Sequence, residues 1–145
     1  PPRSTLFPYT TLFRSSIGGN ASLMVNEKTS LTFGNFLRDT VSKSANVASF
    51  AGNLSIGVDW TLEIWPLTLS GDLAYSHTGF KNLIIGYTGK RMDDNVSFEL
   101  ALTHENIQFY GLNPTFGVNW ARNFSNLNRY DTETVQVFTR LTAAF

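Results

Sequence analysis

Between positions 48 and 64 the chain changes character at every step. Even positions hold Ala48, Phe50, Gly52, Leu54, Ile56, Val58, Trp60, Leu62 and Ile64; odd positions hold Ser49, Ala51, Asn53, Ser55, Gly57, Asp59, Thr61 and Glu63. Successive side chains of an extended chain point to opposite faces, so this stretch reads as one strand with an apolar flank and a polar, carboxylate-bearing flank. It outlasts the mean strand of soluble proteins, about 5–6 residues. Any fold that contains it must give one side apolar surroundings and the other side water.

The rhythm recurs. Leu67, Leu69, Leu73 and Tyr75 alternate with Thr68, Ser70, Asp72 and Ser76, and Leu83, Ile85 and Tyr87 form a shorter stripe. Val96, Phe98, Leu100 and Leu102 alternate with Ser97, Glu99, Ala101 and Thr103; Ile107 and Phe109 resume after a phase shift at 104–106, as a bulge would produce. Phe116, Val118 and Trp120 follow the same pattern, as do Val135, Val137, Thr139, Leu141, Ala143 and Phe145. Upstream, Ala21, Leu23 and Val25, then Leu31 and Phe33, suggest two strands around a turn at 26–28. Breaker-rich stretches separate the stripes at 38–44, 65–66, 78–79, 91–95, 111–114 and 123–132. The pattern predicts about eight strands and no helix. The expected fold is all-β, an antiparallel up-and-down meander.

A soluble sandwich and a membrane barrel both alternate. Three features favour a fragment of an outer-membrane transmembrane β-barrel. Several stripes reach the roughly 9–11 residues that a tilted strand needs to cross a bilayer. The polar flanks carry Asp59, Glu63, Asp72, Glu99 and Arg140, which suits a wet lumen with lipid on the other side. Aromatics (Trp60, Trp65, Tyr75, Tyr87, Phe109, Tyr110, Trp120, Phe145) fall near strand ends, where ring side chains favour the membrane–water boundary. The expected partner is a lipid bilayer and the expected location the bacterial outer membrane.

The last stripe ends on Phe145, with Val137, Leu141 and Ala143 at alternate positions before it. It resembles the C-terminal assembly signal of bacterial outer-membrane proteins, which implies a second partner, the barrel-assembly machinery, reading a strand edge by strand addition. One difficulty attends the count of eight. If the last strand descends to the periplasm, the turn at Trp65 and Pro66 lies on the outer side and is short for that side.

The first residues stand apart. Thr5 to Ser15, TLFPYTTLFRS, back-translate in one frame into a widely used short-read sequencing adapter. Residues 1–15 are therefore expected to be a non-native, adapter-derived segment, and 16–145 the C-terminal part of a longer barrel.

The chemistry of the chain is sparse. Eleven basic and eleven acidic residues give zero net charge, which removes the electrostatic case for nucleic acid. Without Cys there is neither a disulfide framework nor a thiolate metal site, and its absence suits a chain that crosses an oxidising periplasm. No run approaches the roughly 20 apolar residues of a membrane helix. His77 and His104 have no second ligand at metal spacing. Asp59 and Glu63 share a strand flank about 13 Å apart, too far for an acid/base pair. Asp93 and Asp94 suit a turn. No enzyme, cofactor or metal is expected.

From 91 to 145 a series of short motifs appears in order: Arg91-Met92-Asp93, Gly111-Leu112-Asn113-Pro114, Asn123-Phe124-Ser125-Asn126, then Tyr130-Asp131 and a terminal Phe145. This order and spacing resemble the end of the barrel of the surface lipoprotein assembly modifier (Slam) family. The resemblance implies a channel that moves lipoproteins or related proteins to the cell surface, with a lipoprotein cargo as partner. It marks Arg91, Asp93, Gly111, Pro114, Asn123, Ser125, Asn126, Tyr130 and Asp131 as family-motif positions, best understood as preserving barrel geometry. The alternatives are a general porin or uptake channel of the same architecture, and a soluble β-rich ligand-binding domain with its apolar stripes inside.

Overall fold

The computed structural model describes residues 12–42, 47–62, 65–84, 86–108 and 110–143. Seven strands form: β1 (Phe13–Asn26), β2 (Thr29–Val41), β3 (Ser49–Thr61), β4 (Leu67–Leu83), β5 (Lys90–His104), β6 (Leu112–Ser125) and β7 (Thr132–Ala143). Their spatial order is their chain order and every neighbouring pair is antiparallel, so the sheet is an up-and-down meander. The sheet is not closed; β1 and β7 are its two edges. The single helical turn among the described residues is a 3₁₀ turn at Asn128–Tyr130.

Seven strands replace the eight expected, and the reason is local. The stripe at Leu83 and Tyr87 is not a separate strand. β4 runs for 17 residues to Leu83, passing a register irregularity between Gly79 and Leu83, and Gly86 turns the chain at φ 91°. The phase shift after His104 is a loop rather than a bulge within a strand. Glu105 donates its backbone N–H to the Pro66 carbonyl at 2.7 Å, and Ile107 donates its own to His104 Nδ1 at 3.1 Å. Ile85, Phe109 and Phe145 lie outside the described residues, as does Glu63. Absorbing the extra stripe into β4 brings the Trp65/Pro66 turn to the same end of the sheet as the last residues of β7. The difficulty of a short turn on the outer side disappears.

The strands also outrun their apolar stripes. Residues 38–41, 78–79, 91–95 and 123–125, expected as breakers, continue the ladder. Backbone hydrogen bonds of a sheet need no particular side chain, so a strand persists beyond the point where its apolar residues stop. The same independence explains Phe13, Arg14 and Ser15, which pair with Val41, Thr40 and Asp39 at the β1 edge whatever the origin of that segment.

Every strand lies beside at least one neighbour with the same facing pattern, and within the strands burial divides by face. Thr40, Gly57, Asp93, Ala101, Asn113, Thr115 and Gly117 are buried, and register puts all of them on the polar side. A single-layer sheet has no second layer to cover it; burial confined to one face fits a sheet curled towards its polar side, with longer side chains such as Phe138 closing over Gly117, and the polar face is here called the concave one. The convex face carries Leu54 at 64%, Val58 at 40% and Leu100 at 43% exposure, against 1% for Thr115. This inverts a soluble sandwich. Burying one Leu, Val or Phe is worth about 1.5–3 kcal/mol, and here a whole face of them is left uncovered.

Candidate functional site

Period two and the observed register bring the predicted polar-flank residues together on the concave face. Asp59 on β3 accepts hydrogen bonds from Ser70 Oγ on β4 at 2.6 Å and from Ser30 Oγ on β2 at 3.4 Å. Asp72 lies opposite Gly57 and Glu99. Glu99 on β5 receives Arg140 Nη1 from β7 at 3.1 Å, reaching across β6. That reach is open because β6 presents Gly117 and Asn119 between them. Towards the end bearing the β3–β4 and β5–β6 connections, Thr115 Oγ1 lies 2.8 Å from Thr103 Oγ1 and 3.0 Å from Thr142 Oγ1. Thr68 donates to Glu105 at 2.6 Å beside the Thr61–Thr68 pair. The concave face is thus a band of hydroxyls and mixed charges that tie neighbouring strands to one another.

The convex face is apolar through its middle and turns polar at the opposite end, where the β2–β3, β4–β5 and β6–β7 connections lie. There Asp94 accepts from Tyr75 OH at 2.6 Å and pairs with His77 Nδ1 at 2.8 Å. Lys81 pairs with Asp39, and Glu133 receives Arg122 Nη1 at 3.0 Å and Trp120 Nε1 at 2.8 Å. These outward polar groups were not legible as a set, because they sit on five strands. Trp60 lies on the same face near the other end, opposite Thr29 and Leu69. No group of three His, Asp or Glu side chains suited to a metal ion occurs among the described residues.

Asp93 and Asp94 do not form a turn. Both belong to β5, on opposite faces: Asp93 is buried on the concave side, and Asp94 serves Tyr75 and His77 on the convex side. Adjacent residues of a strand must part in this way.

The motif residues separate into two places. Gly111 holds φ 78° beside Tyr110 at φ 51°, so the β5–β6 loop needs a residue without a Cβ there. Pro114 stands opposite Leu141 on β6. The others converge at the far end of the sheet. Arg91 Nε donates to Asp93 Oδ1 at 2.9 Å and its Nη2 pairs with Oδ2. The same guanidinium lies 3.5 Å from the centre of the Tyr130 ring and 4.4 Å from that of Phe80. Asn126 bonds β5 with both ends of its side chain: Oδ1 accepts from Met92 N–H at 2.8 Å, and Nδ2 donates to the Lys90 carbonyl at 2.9 Å. Asn123 Nδ2 donates to the Tyr130 carbonyl at 2.7 Å. Ser125 Oγ accepts from Leu127 N–H at 3.2 Å, and Asp131 stands 3.7 Å from Arg122. On β7, Val137 and Leu141 face outward at 80% and 51% exposure, and Ala143 shares their register opposite Leu112.

No curated protein and no solved structure matches the chain. The family described as surface lipoprotein assembly modifier matches residues 19–145, a span that holds most of β1, all of β2 to β7 and every motif residue above. The chain belongs to the surface lipoprotein assembly modifier family.

Proposed function

We propose that this chain is part of the wall of an outer-membrane β-barrel through which lipoproteins are moved to the bacterial cell surface. One observation carries this reading: the sheet buries its polar face and exposes its apolar one. In water such a sheet would aggregate through its apolar face and free edges. In a bilayer the convex face meets hydrocarbon, while Asp59, Asp72, Glu99 and Arg140 line a wet interior. The shortest strand has 12 residues and the longest 17, enough to cross with tilt. The belt of Tyr75, His77, Asp94 and Lys81 then lies at a membrane boundary, where polar tips meet water. The open edges at β1 and β7 require further strands, since lipid-exposed backbone must be paired. The outward Val137 and Leu141 on edge strand β7 suit recognition by the barrel-assembly machinery through strand addition.

Family membership supports lipoprotein export over a general porin, and the facing of Leu54, Val58 and Leu100 argues against a soluble ligand-binding domain. The reading assigns no catalysis and no cofactor. Single cysteines at Leu54, Val58 and Leu100, and at Asp59, Asp72 and Glu99, test it in the membrane-inserted protein. The second set should react with a water-soluble maleimide. The first set, carrying a fluorophore, should be quenched by bromolipids. The reverse pattern, or a protein that stays in aqueous solution without detergent, overturns it.

A further inference from the structure

The β6–β7 connection does not stand away from the sheet. Phe80, Arg91 and Asp93 all lie on the concave side by register, and Tyr130 packs on that side of the Arg91 guanidinium. We propose that this connection is a folded-in constriction at one mouth of the channel, latched by Arg91, which passing cargo must displace. The inference rests on the proposed channel, in which the concave face is the lumen.

Three kinds of interaction point to a latch rather than a chance contact. The Arg91–Asp93 pair is nearly dry, with side chains 15% and 9% exposed, so its charges hold one geometry instead of sampling water. The guanidinium lies within cation–π distance of two aromatic rings at once, Phe80 from β4 and Tyr130 from the connection, and its planar, delocalised charge suits such stacking better than the point charge of Lys. Asn126 then fixes the connection to β5 like an added backbone rung, bonding a carbonyl and an N–H at once, and the Asn126 N–H itself reaches the Met92 carbonyl at 3.1 Å. Connections usually run outward over water and move freely. This one is tied inward by groups on two strands, β5 and β6, and it buries Leu127. An inward tie of separable side-chain contacts, next to a regular strand ladder, can open without unfolding the wall.

The test uses the full-length protein in planar lipid bilayers, with Arg91→Ala, Arg91→Lys and Tyr130→Ala. Arg91→Ala and Tyr130→Ala should raise conductance over the parent protein, with Arg91→Lys in between. Hydrogen exchange at the Met92 and Asn126 amides should speed up by about tenfold or more while β6 stays protected. If Arg91→Ala fails to assemble, Tyr130→Ala decides, because it leaves the ion pair in place. A conducting parent whose conductance is unchanged by these variants overturns the constriction and leaves the channel standing. If neither the parent nor any of the variants carries current, the channel and the constriction are overturned together.

Discussion

The two edges of the sheet are built differently. At the β1 edge, every residue of the strand is exposed, and the Ser22 and Thr32 hydroxyls, 3.3 Å apart, join its described residues to β2. On the other side, β5, β6 and β7 are stitched by Thr103–Thr115–Thr142, by Arg140 to Glu99, and by Trp120 and Arg122 to Glu133. Both edges carry a full backbone ladder, so the ladder alone does not set their difference. Side chains decide which part of the sheet holds its shape unaided. The β5–β7 part can curl and hold a connection inward, while the β1 part is shaped by whatever strand lies beside it.

Removing Arg91 should break the stitched side most. Arg91→Ala leaves Asp93 buried without its partner, a loss of about 3–5 kcal/mol for a buried pair. Urea titration of the protein refolded in lipid vesicles measures it. Adding Asp93→Asn to Arg91→Ala should recover part of that loss, because the uncompensated charge goes with it. A cost no larger than that of an exposed pair would show the site to be wet and would remove the contrast between the edges at its strongest point.

A matched pair of glycines sharpens the contrast. A Cβ at Gly117 on β6 would run into the Phe138 ring and come within 2.9 Å of the Leu100 carbonyl oxygen, whereas a Cβ at Gly19 on β1 meets nothing within 4 Å. Gly117→Ala should destabilise by about 1–3 kcal/mol through overpacking against backbone that cannot yield. Gly19→Ala should be neutral or stabilise by up to about 1 kcal/mol, since the Gly backbone loses more freedom on folding. Equal effects in the same titration would mean that the two sides are packed alike.

Alternation made the faces legible before any coordinates. Leu54, Val58 and Leu100 follow period two on one side, Asp59 and Glu99 on the other, and the observed register keeps that division through all seven strands. Strand ends were harder, because period two reports side chains while the ladder is made by backbone. Polar stretches such as 91–95 look like turns, and yet 92–95 pair residue for residue with 76–79, and 93–95 with 123–125. The latch lay beyond any local pattern. Arg91 and Tyr130 are far apart in sequence, and only the antiparallel return of β6 sets the connection over the start of β5. The resemblance had marked Arg91 and Tyr130 as separate motif positions, with no reason in the sequence for them to be in one place.

The smallest expected effect falls on Arg140 and Glu99. Their side chains are 51% and 26% exposed, so water competes for both, and pairs of this kind contribute about 0–1 kcal/mol. Arg140→Gln should therefore cost less than Gly117→Ala and far less than Arg91→Ala, and raising the salt concentration should shrink the cost further. The pair nevertheless spans β5 to β7 over β6, and a cross-strand tie of that reach bears on curvature more than on stability. Pulsed electron-spin resonance between labels on β5 and β7 should show a broader distance distribution in Arg140→Gln with its mean little changed. If the distribution keeps its width, the Thr103–Thr115–Thr142 ladder alone sets the curl, and the charges on the concave face belong to the lumen and not to the wall.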